Sequence, residues 1–315
     1  MLAATVLFLS LALYSFKTDH PWPAYILLAL SSLTMLSSLS RKLEFYARSL
    51  VYVTGMGAVA FTGVFTSLFM ALIGQRASAP WLVARIFYKT VGPLVGVRFR
   101  IEGQEYLDQA SQRPTVLVGN HQSMFDILYL GATFPKRTSI MAKKELKWTP
   151  FLGQFMMLSN AVFVDRANRQ KALSTFQQVA SVMKQKGTSL FIFVEGTRNS
   201  SPTPSLLPFK KGAFHLAVEG QCDIIPIVCE NYHELYSPKQ KWFKSGEIVI
   251  KALPPISTVG RTSSSEDIAA LSLATRDAMT AAIEELAERP NSLAGRALVE
   301  DGADEHERTP LRAGL

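Results

Sequence analysis

Thr115–Val116–Leu117–Val118–Gly119–Asn120–His121–Gln122–Ser123–Met124–Phe125–Asp126 changes character half-way along. Thr115–Val118 is a β-branched, apolar run that reads as a strand. The remainder sets a histidine and an aspartate five residues apart at a strand-to-helix junction. On one continuous helix those side chains would point about 140° apart and would not meet. With His121 on the turn and Asp126 in the first helical turn, the carboxylate reaches the imidazole. It then fixes the tautomer and leaves the other ring nitrogen free to accept a hydroxyl proton. This is the base-and-orienter half of a triad. No Gly-x-Ser-x-Gly elbow occurs in the chain, so the hydroxyl is expected to come from a substrate.

Further β-like runs lie at Val97–Ile101, Thr138–Ala142, Ala161–Val164, Leu190–Val194, Ile224–Val228 and Ile248–Ala252. Helical periodicity covers Arg169–Lys186 and Lys211–Glu219, and Ser265–Arg289 reads as a longer helix. That order predicts an α/β domain with a central, mostly β sheet flanked by helices. No internal repeat is visible. Beyond Pro290 the chain turns polar, with Glu300, Asp301, Asp304, Glu305 and Glu307 clustered, the composition of a disordered tail. The expected division is 1–75 membrane-embedded helices, 76–289 the domain carrying the chemistry, and 290–315 the tail.

The N-terminal quarter is apolar, in Met1–Phe16, Trp22–Leu39 and Val51–Gly74. The last stretch has no charge and is long enough to cross the ~30 Å hydrocarbon layer. Met1–Phe16 lacks a basic n-region and a small-residue cleavage site, so it does not read as a removable signal. Arg41, Lys42 and Arg48 precede Val51–Gly74, and Arg76, Arg85, Lys89, Arg98 and Arg100 follow it. Basic residues on both flanks conflict with a single crossing, and Gly55, Gly57 and Gly63 would permit a bent path. From Pro80, residues Trp81, Leu82, Arg85, Ile86, Tyr88 and Lys89 predict an amphipathic helix lying on anionic headgroups. A formal charge of +8 points to an anionic partner. No nucleic-acid module is present, so the partner expected is a bilayer or a phosphorylated substrate. Cys222 and Cys229 show no metal-ligand spacing. His233, between Glu230 and Glu234, is a weak metal signal, and no metal is expected.

A second motif, Phe193–Val194–Glu195–Gly196–Thr197–Arg198, ends another apolar run. It should therefore project from the sheet edge where α/β active sites gather. Arg198 supplies a forked guanidinium suited to a phosphate dianion. Two further stretches are distinctive. Lys143–Lys144–Glu145–Leu146 and Pro150–Phe151–Leu152–Gly153 lead into Phe163–Val164–Asp165–Arg166, and Leu207–Pro208–Phe209–Lys210–Lys211–Gly212 precedes Ile225–Pro226–Ile227–Val228. In this order the blocks resemble the glycerolipid acyltransferases, in particular 1-acyl-glycerol-3-phosphate acyltransferases of fungal and other eukaryotic type. Resemblance covers about Arg76 to Ala252. One departure is Val194, where the family usually has proline.

The resemblance implies His121 as general base and Asp126 as its partner. Glu195, Gly196, Thr197 and Arg198 would bind the lysophosphatidate head, with Arg198 on phosphate. Lys143 or Lys144 and Arg166 are further phosphate contacts. Lys210 and Lys211 are placed for coenzyme A phosphates or for the membrane. It further implies acyl-CoA as co-substrate, no cofactor, and residence in the endoplasmic reticulum with the domain facing the cytosol. A backbone N–H at the helix start after His121 is the candidate oxyanion donor. Two rival readings stand beside this: an acyltransferase for another lysophospholipid or glycerol 3-phosphate, and an inactive lipid-binding scaffold. A pure binder has no need for the base. Acyl-chain preference and oligomeric state are not legible.

Overall fold

The computed structural model describes residues 40–165, 169–290 and 292–293, with 10, 13, 25 and 28. Apart from those four, the stretches Met1–Phe16 and Trp22–Leu39 lie outside the described residues, as does the tail beyond 293.

All seven expected strands form, and they join one sheet. They are β1 (Val97–Glu102), β2 (Thr115–Gly119), β3 (Thr138–Lys143), β4 (Val162–Val164), β5 (Ser189–Phe193), β6 (Asp223–Cys229) and, after a small hairpin of β7 (Tyr236–Ser237) and β8 (Trp242–Phe243), β9 (Gly246–Ala252). The sheet order is β1-β9-β6-β2-β5-β3-β4. Strands β2 to β6 run parallel, β9 pairs antiparallel with β6, and β1 follows β9. From β2 the chain moves out to β3 and β4, returns to β5 beside β2, then crosses to β6 on β2's other side. Crossing sides at β2 opens a crevice at the carboxyl ends of β2, β5 and β6.

Period-two alternation sorts side chains between two cores. Leu117, Phe191, Ile225 and Ile227 face one side, Val116, Val118, Leu190, Ile192 and Ile224 the other. The first core is covered by α1 (Arg41–Leu72), α2 (Ala79–Leu94), α3 (Gln104–Gln112) and α4 (Asp126–Thr133). The second is covered by α6 (Arg169–Lys186), α7 (Gly212–Gly220) and α8 (Ser265–Glu288). Between β3 and β4, a 3-10 turn (Lys144–Trp148) leads into α5 (Leu152–Leu158). Ser264 caps α8, its Oγ accepting the Asp267 N–H.

The N-terminal region differs from expectation in three respects. First, α1 begins at Arg41, so the basic residues read as its flank lie inside it. At 1.5 Å per residue it runs to about 48 Å, and among the described residues it is the one helix long and apolar enough to cross a membrane. Phe45, Arg48, Tyr52, Ala60, Gly63 and Ser67 bury one face of it on the domain. Arg48 is buried, giving Nη1 to the Val95 carbonyl and Ser245 Oγ and pairing with Glu44 at 2.6 Å. The division expected at 75 therefore does not divide the packing. Second, α1 continues unbroken through the glycines. A Cβ on Gly55 would lie 2.6 Å from Val91, and one on Gly63 3.1 Å from Val83, so these two glycines let α2 approach closely. Third, α2 is wedged between α1 and α4. Arg85 donates to the carbonyls of Ala132 and Phe134, and Tyr88 Oη accepts the Phe99 N–H. Those two residues of the expected interfacial helix are committed to packing. The apolar stripe that remains exposed belongs to α1: Leu43, Leu50, Phe61, Phe65, Phe69 and Leu72.

Candidate active site

Gly119 ends β2 with its Cα facing the Tyr129 hydroxyl and the Phe191 ring; a Cβ there would meet them at 2.5 and 2.6 Å. The chain then turns, and that turn is tethered by side chains. Asn120 Oδ1 accepts the Cys229 N–H and its Nδ2 donates to the Cys229 carbonyl, both at 2.8 Å. Gln122 Nε2 donates to the carbonyls of Cys229 and Glu230, and its Oε1 accepts the Tyr232 N–H. These amides bracket His121 and lock its loop to the end of β6.

His121 Nδ1 lies 2.6 Å from Asp126 Oδ2. The same oxygen accepts the N–H groups of Gln122 and Ser123, at 2.7 and 3.1 Å. Asp126 is buried in the first turn of α4. As an ionised acceptor it draws a proton onto Nδ1 and leaves Nε2 as the free acceptor. The imidazole stacks on Phe193 with centroids 4.0 Å apart, which fixes its plane. Three of the backbone N–H groups after His121 are engaged: Gln122 and Ser123 on the carboxylate, and Phe125 on Ser123 Oγ.

The second motif leaves β5 beside the first. Gly196 adopts φ 70°, a left-handed conformation that favours glycine. Glu195 departs from the expected head-group role. It is 1% exposed, with Oε1 on the His121 N–H at 2.9 Å and Oε2 on the Leu207 N–H at 2.8 Å. Burial pushes its carboxyl up from the ordinary range, while those two backbone donors pull the other way. Glu195 thus ties the histidine loop to the segment after Arg198. The Asn199 N–H on the His121 carbonyl, at 2.7 Å, adds a second tie.

A cavity of ≈ 580 Å³ opens at this edge. His121, Thr197, Arg198 and Lys143 line it, and Val59, Val83, Phe87, Leu130 and Phe155 supply apolar wall from α1, α2, α4 and α5. Lys143 stands on the cavity with only a loose 3.7 Å contact to Glu145. Lys144 does not line it and pairs with Asp165 at 3.1 Å, so of the two lysines Lys143 is the one on the cavity. Arg166 lies outside the described residues. Among the described residues no cluster of histidine, cysteine and carboxylate could hold a metal. Glu230 accepts the N–H groups of Val249 and Leu293.

Sequence reasoning missed Asn120, Gln122 and Tyr232. Tyr232 Oη lies 2.5 Å from Asp126 Oδ1. One signal was available: Tyr232 closely follows an apolar strand, so it had to emerge at the same sheet edge.

Comparison with known proteins finds relatives along most of the chain and agrees with its fold. An acyltransferase family model matches residues 98–230. The Saccharomyces cerevisiae 1-acyl-sn-glycerol-3-phosphate acyltransferase is 38% identical over 246 residues, 78% of this chain and 80% of that one. The human 1-acyl-sn-glycerol-3-phosphate acyltransferase alpha is 35% identical over 204 residues, 65% and 70% respectively. The crystal structure of the 1-acyl-sn-glycerophosphate (LPA) acyltransferase from Thermotoga maritima superposes with a TM-score of 0.61 at 26% identity, covering 81% of this chain and 98% of that one.

Proposed function

The chain belongs to the 1-acyl-sn-glycerol-3-phosphate acyltransferase family, and from that premise we propose that it esterifies the sn-2 hydroxyl of lysophosphatidate with an acyl group from acyl-CoA, forming phosphatidate. The observation that carries this reading is the oriented His121–Asp126 pair at the mouth of a largely apolar cavity that also presents Arg198.

His121 Nε2 takes the hydroxyl proton as the oxygen attacks the thioester carbonyl. The new C–O bond forms, the C–S bond breaks, and the imidazolium returns the proton to the departing thiolate. Asp126 stabilises the imidazolium between the two transfers. No acyl-enzyme forms, because the hydroxyl belongs to the substrate. General-base assistance typically contributes about 10²–10⁴-fold, so holding the two substrates in register must supply much of the rest. Arg198 and Lys143 hold the phosphate of lysophosphatidate. The donor's acyl chain, attached to the reacting carbonyl, runs into the apolar cavity. The exposed stripe of α1 rests in the bilayer that supplies the lysolipid. Residence at the endoplasmic reticulum with the domain in the cytosol is part of the same reading. It is supported by the Asn199–Ser200–Ser201 sequon beside Arg198, where a luminal glycan would crowd the site.

The test is acyl transfer from labelled oleoyl-CoA to lysophosphatidate by purified protein in detergent. Loss of phosphatidate formation in His121→Ala, and a raised KM for lysophosphatidate in Arg198→Ala, support the two roles. Turnover that survives His121→Ala sinks the mechanism.

A further inference from the structure

Behind the histidine–aspartate pair runs a hydrogen-bond chain whose every proton can be placed. Asp126 Oδ2 is occupied by His121 Nδ1 and two backbone N–H groups, and Oδ1 meets Tyr232 Oη at 2.5 Å. An ionised carboxylate has no hydrogen to give, so the phenol donates to it. A phenol has a single hydrogen. Ser123 Oγ, 2.9 Å from the same phenol oxygen, must therefore be the donor in that contact. Ser123 is free to do so, because its own oxygen accepts the Phe125 N–H at 2.9 Å. The chain reads Ser123 to Tyr232 to Asp126, with His121 donating from the opposite side.

Tyr232 is poorly explained as core filling alone. It is 2% exposed and packs against Phe125, which a phenylalanine would do as well. Yet its N–H is held by Gln122 and its hydroxyl is aimed at the carboxylate oxygen that the histidine leaves open. Burial first, and the neighbouring Asp126 charge next, push its hydroxyl well above the usual tyrosine range, so it stays a neutral donor.

We propose that Tyr232 is a positioning residue for the general base, its hydroxyl fixing the Asp126 carboxylate and drawing charge away from the oxygen that holds His121. The proposal rests on the reading of His121 as the base. Without the phenol, Oδ1 is a buried acceptor with no donor in its place, and negative charge gathers toward the imidazole. Carboxylate and imidazolium then both keep protons more tightly. A base that holds its proton too firmly is ready for the hydroxyl only at higher pH, and returns the proton to the thiolate less readily.

Other groups facing this pair are Glu195 on the His121 N–H, Arg198 across the cavity, and Tyr52, Tyr129 and Cys229 within the core. Burial pushes Tyr129 and Cys229 well up, and the Tyr52 hydroxyl is committed to the Met124 carbonyl. None of them loses a hydrogen bond when the hydroxyl is removed from residue 232, since its partners are Ser123 and Asp126.

The experiment measures kcat and KM from acid to mildly alkaline pH in mixed micelles for the wild type, Tyr232→Phe, Ser123→Ala, the double variant and His121→Ala, with thermal unfolding of each. For Tyr232→Phe, kcat should fall about tenfold or more while KM for lysophosphatidate stays within about twofold. The acidic limb of kcat/KM should move up by about one pH unit. Ser123→Ala should shift that limb the same way by less, and the double variant no further than Tyr232→Phe. A wild-type limb in folded Tyr232→Phe overturns the proposal, however far kcat falls, since loosened packing moves rate without moving the limb. If Tyr232→Phe fails to fold, an unshifted limb in Ser123→Ala overturns it instead. Turnover surviving in His121→Ala overturns the base reading and this proposal with it. Turnover lost there with the Tyr232→Phe limb unmoved overturns this proposal alone.

Discussion

The carboxylate of Glu195 shows how a motif can be legible in identity and misread in direction. The family resemblance gives Glu-Gly-Thr-Arg a substrate-binding role, and Thr197 and Arg198 do line the cavity. Glu195 turns away from it, onto two backbone N–H groups that belong to separate loops. Nothing in a linear sequence distinguishes those two destinations. The local pair was readable because His121 and Asp126 are only five residues apart, whereas Tyr232 stands 106 residues from Asp126 and only folding joins them. Glu195→Gln presents a single carbonyl oxygen to two N–H donors and sets its own NH₂ against one of them. Hydrogen bonds to charged groups contribute about 1.5–3 kcal/mol each, so a loss of about 2 kcal/mol in chemical denaturation is expected. Because the histidine loop also loosens, kcat should fall more than KM for lysophosphatidate rises. A wild-type kcat in folded Glu195→Gln would refute the staple.

Among the elements, the strands were legible because β-branched residues fill them on both faces. The helix opening at Asp126 was announced by the strand-to-helix junction, but two short ones escaped. α3 buries only Leu107 and Ala110, and α5 buries only Gly153 and Met156 in seven residues, too little in either for an apolar period. The position of α1 was not legible either, because its apolar residues serve lipid and protein alike. Its inner face, with Ala60, lines the cavity. Ala60→Leu fills space that a long acyl chain would occupy, at about 0.8 kcal/mol for each methylene excluded. The prediction is that kcat/KM for oleoyl-CoA drops about tenfold relative to lauroyl-CoA. Equal losses for both donors would move the acyl chain elsewhere. The end of α8 gives a separate forecast. Arg289 grips Glu102 of β1 through two bonds, 2.7 and 3.0 Å, and also pairs with Glu285. The Arg289 hydrogen bond holds the Glu102 carboxyl below its usual range, against some burial. A carboxylate depressed in the folded state stabilises above its unfolded pKa, and the benefit is lost as pH falls through the folded value. Arg289→Gln should therefore cost about 1 kcal/mol at neutral pH. That difference should shrink toward zero as acid protonates Glu102 in both proteins. A gap that is constant with pH would argue against the ion pair as its source.

For the whole molecule, the order of strands and the crossing at β2 lay beyond the sequence, since no local pattern says which strand will pair with which. That crossing assembles the site from the ends of β2, β5 and β6, and it leaves α1 against the domain with its outer stripe uncovered. Phe151, edge-on to Phe61, extends the stripe, and Trp148 three residues before it is also exposed. Phe65→Glu and Phe69→Glu should each reduce partition onto phosphatidylcholine vesicles by about tenfold while leaving the thermal unfolding temperature nearly unchanged. Unaltered partition would place the lipid contact on another surface. Met56, Val59 and Ala60 on α1 wall the cavity, while Phe61 and Phe65 on the same few turns look outward. Under the proposed seating of that stripe in the bilayer, one helix serves as reaction wall and lipid seat, and the site meets lysophosphatidate in two dimensions. Its rate then follows mole fraction in the surface, not molarity in the tube, and inert lipid added at fixed total lysophosphatidate acts as a diluent.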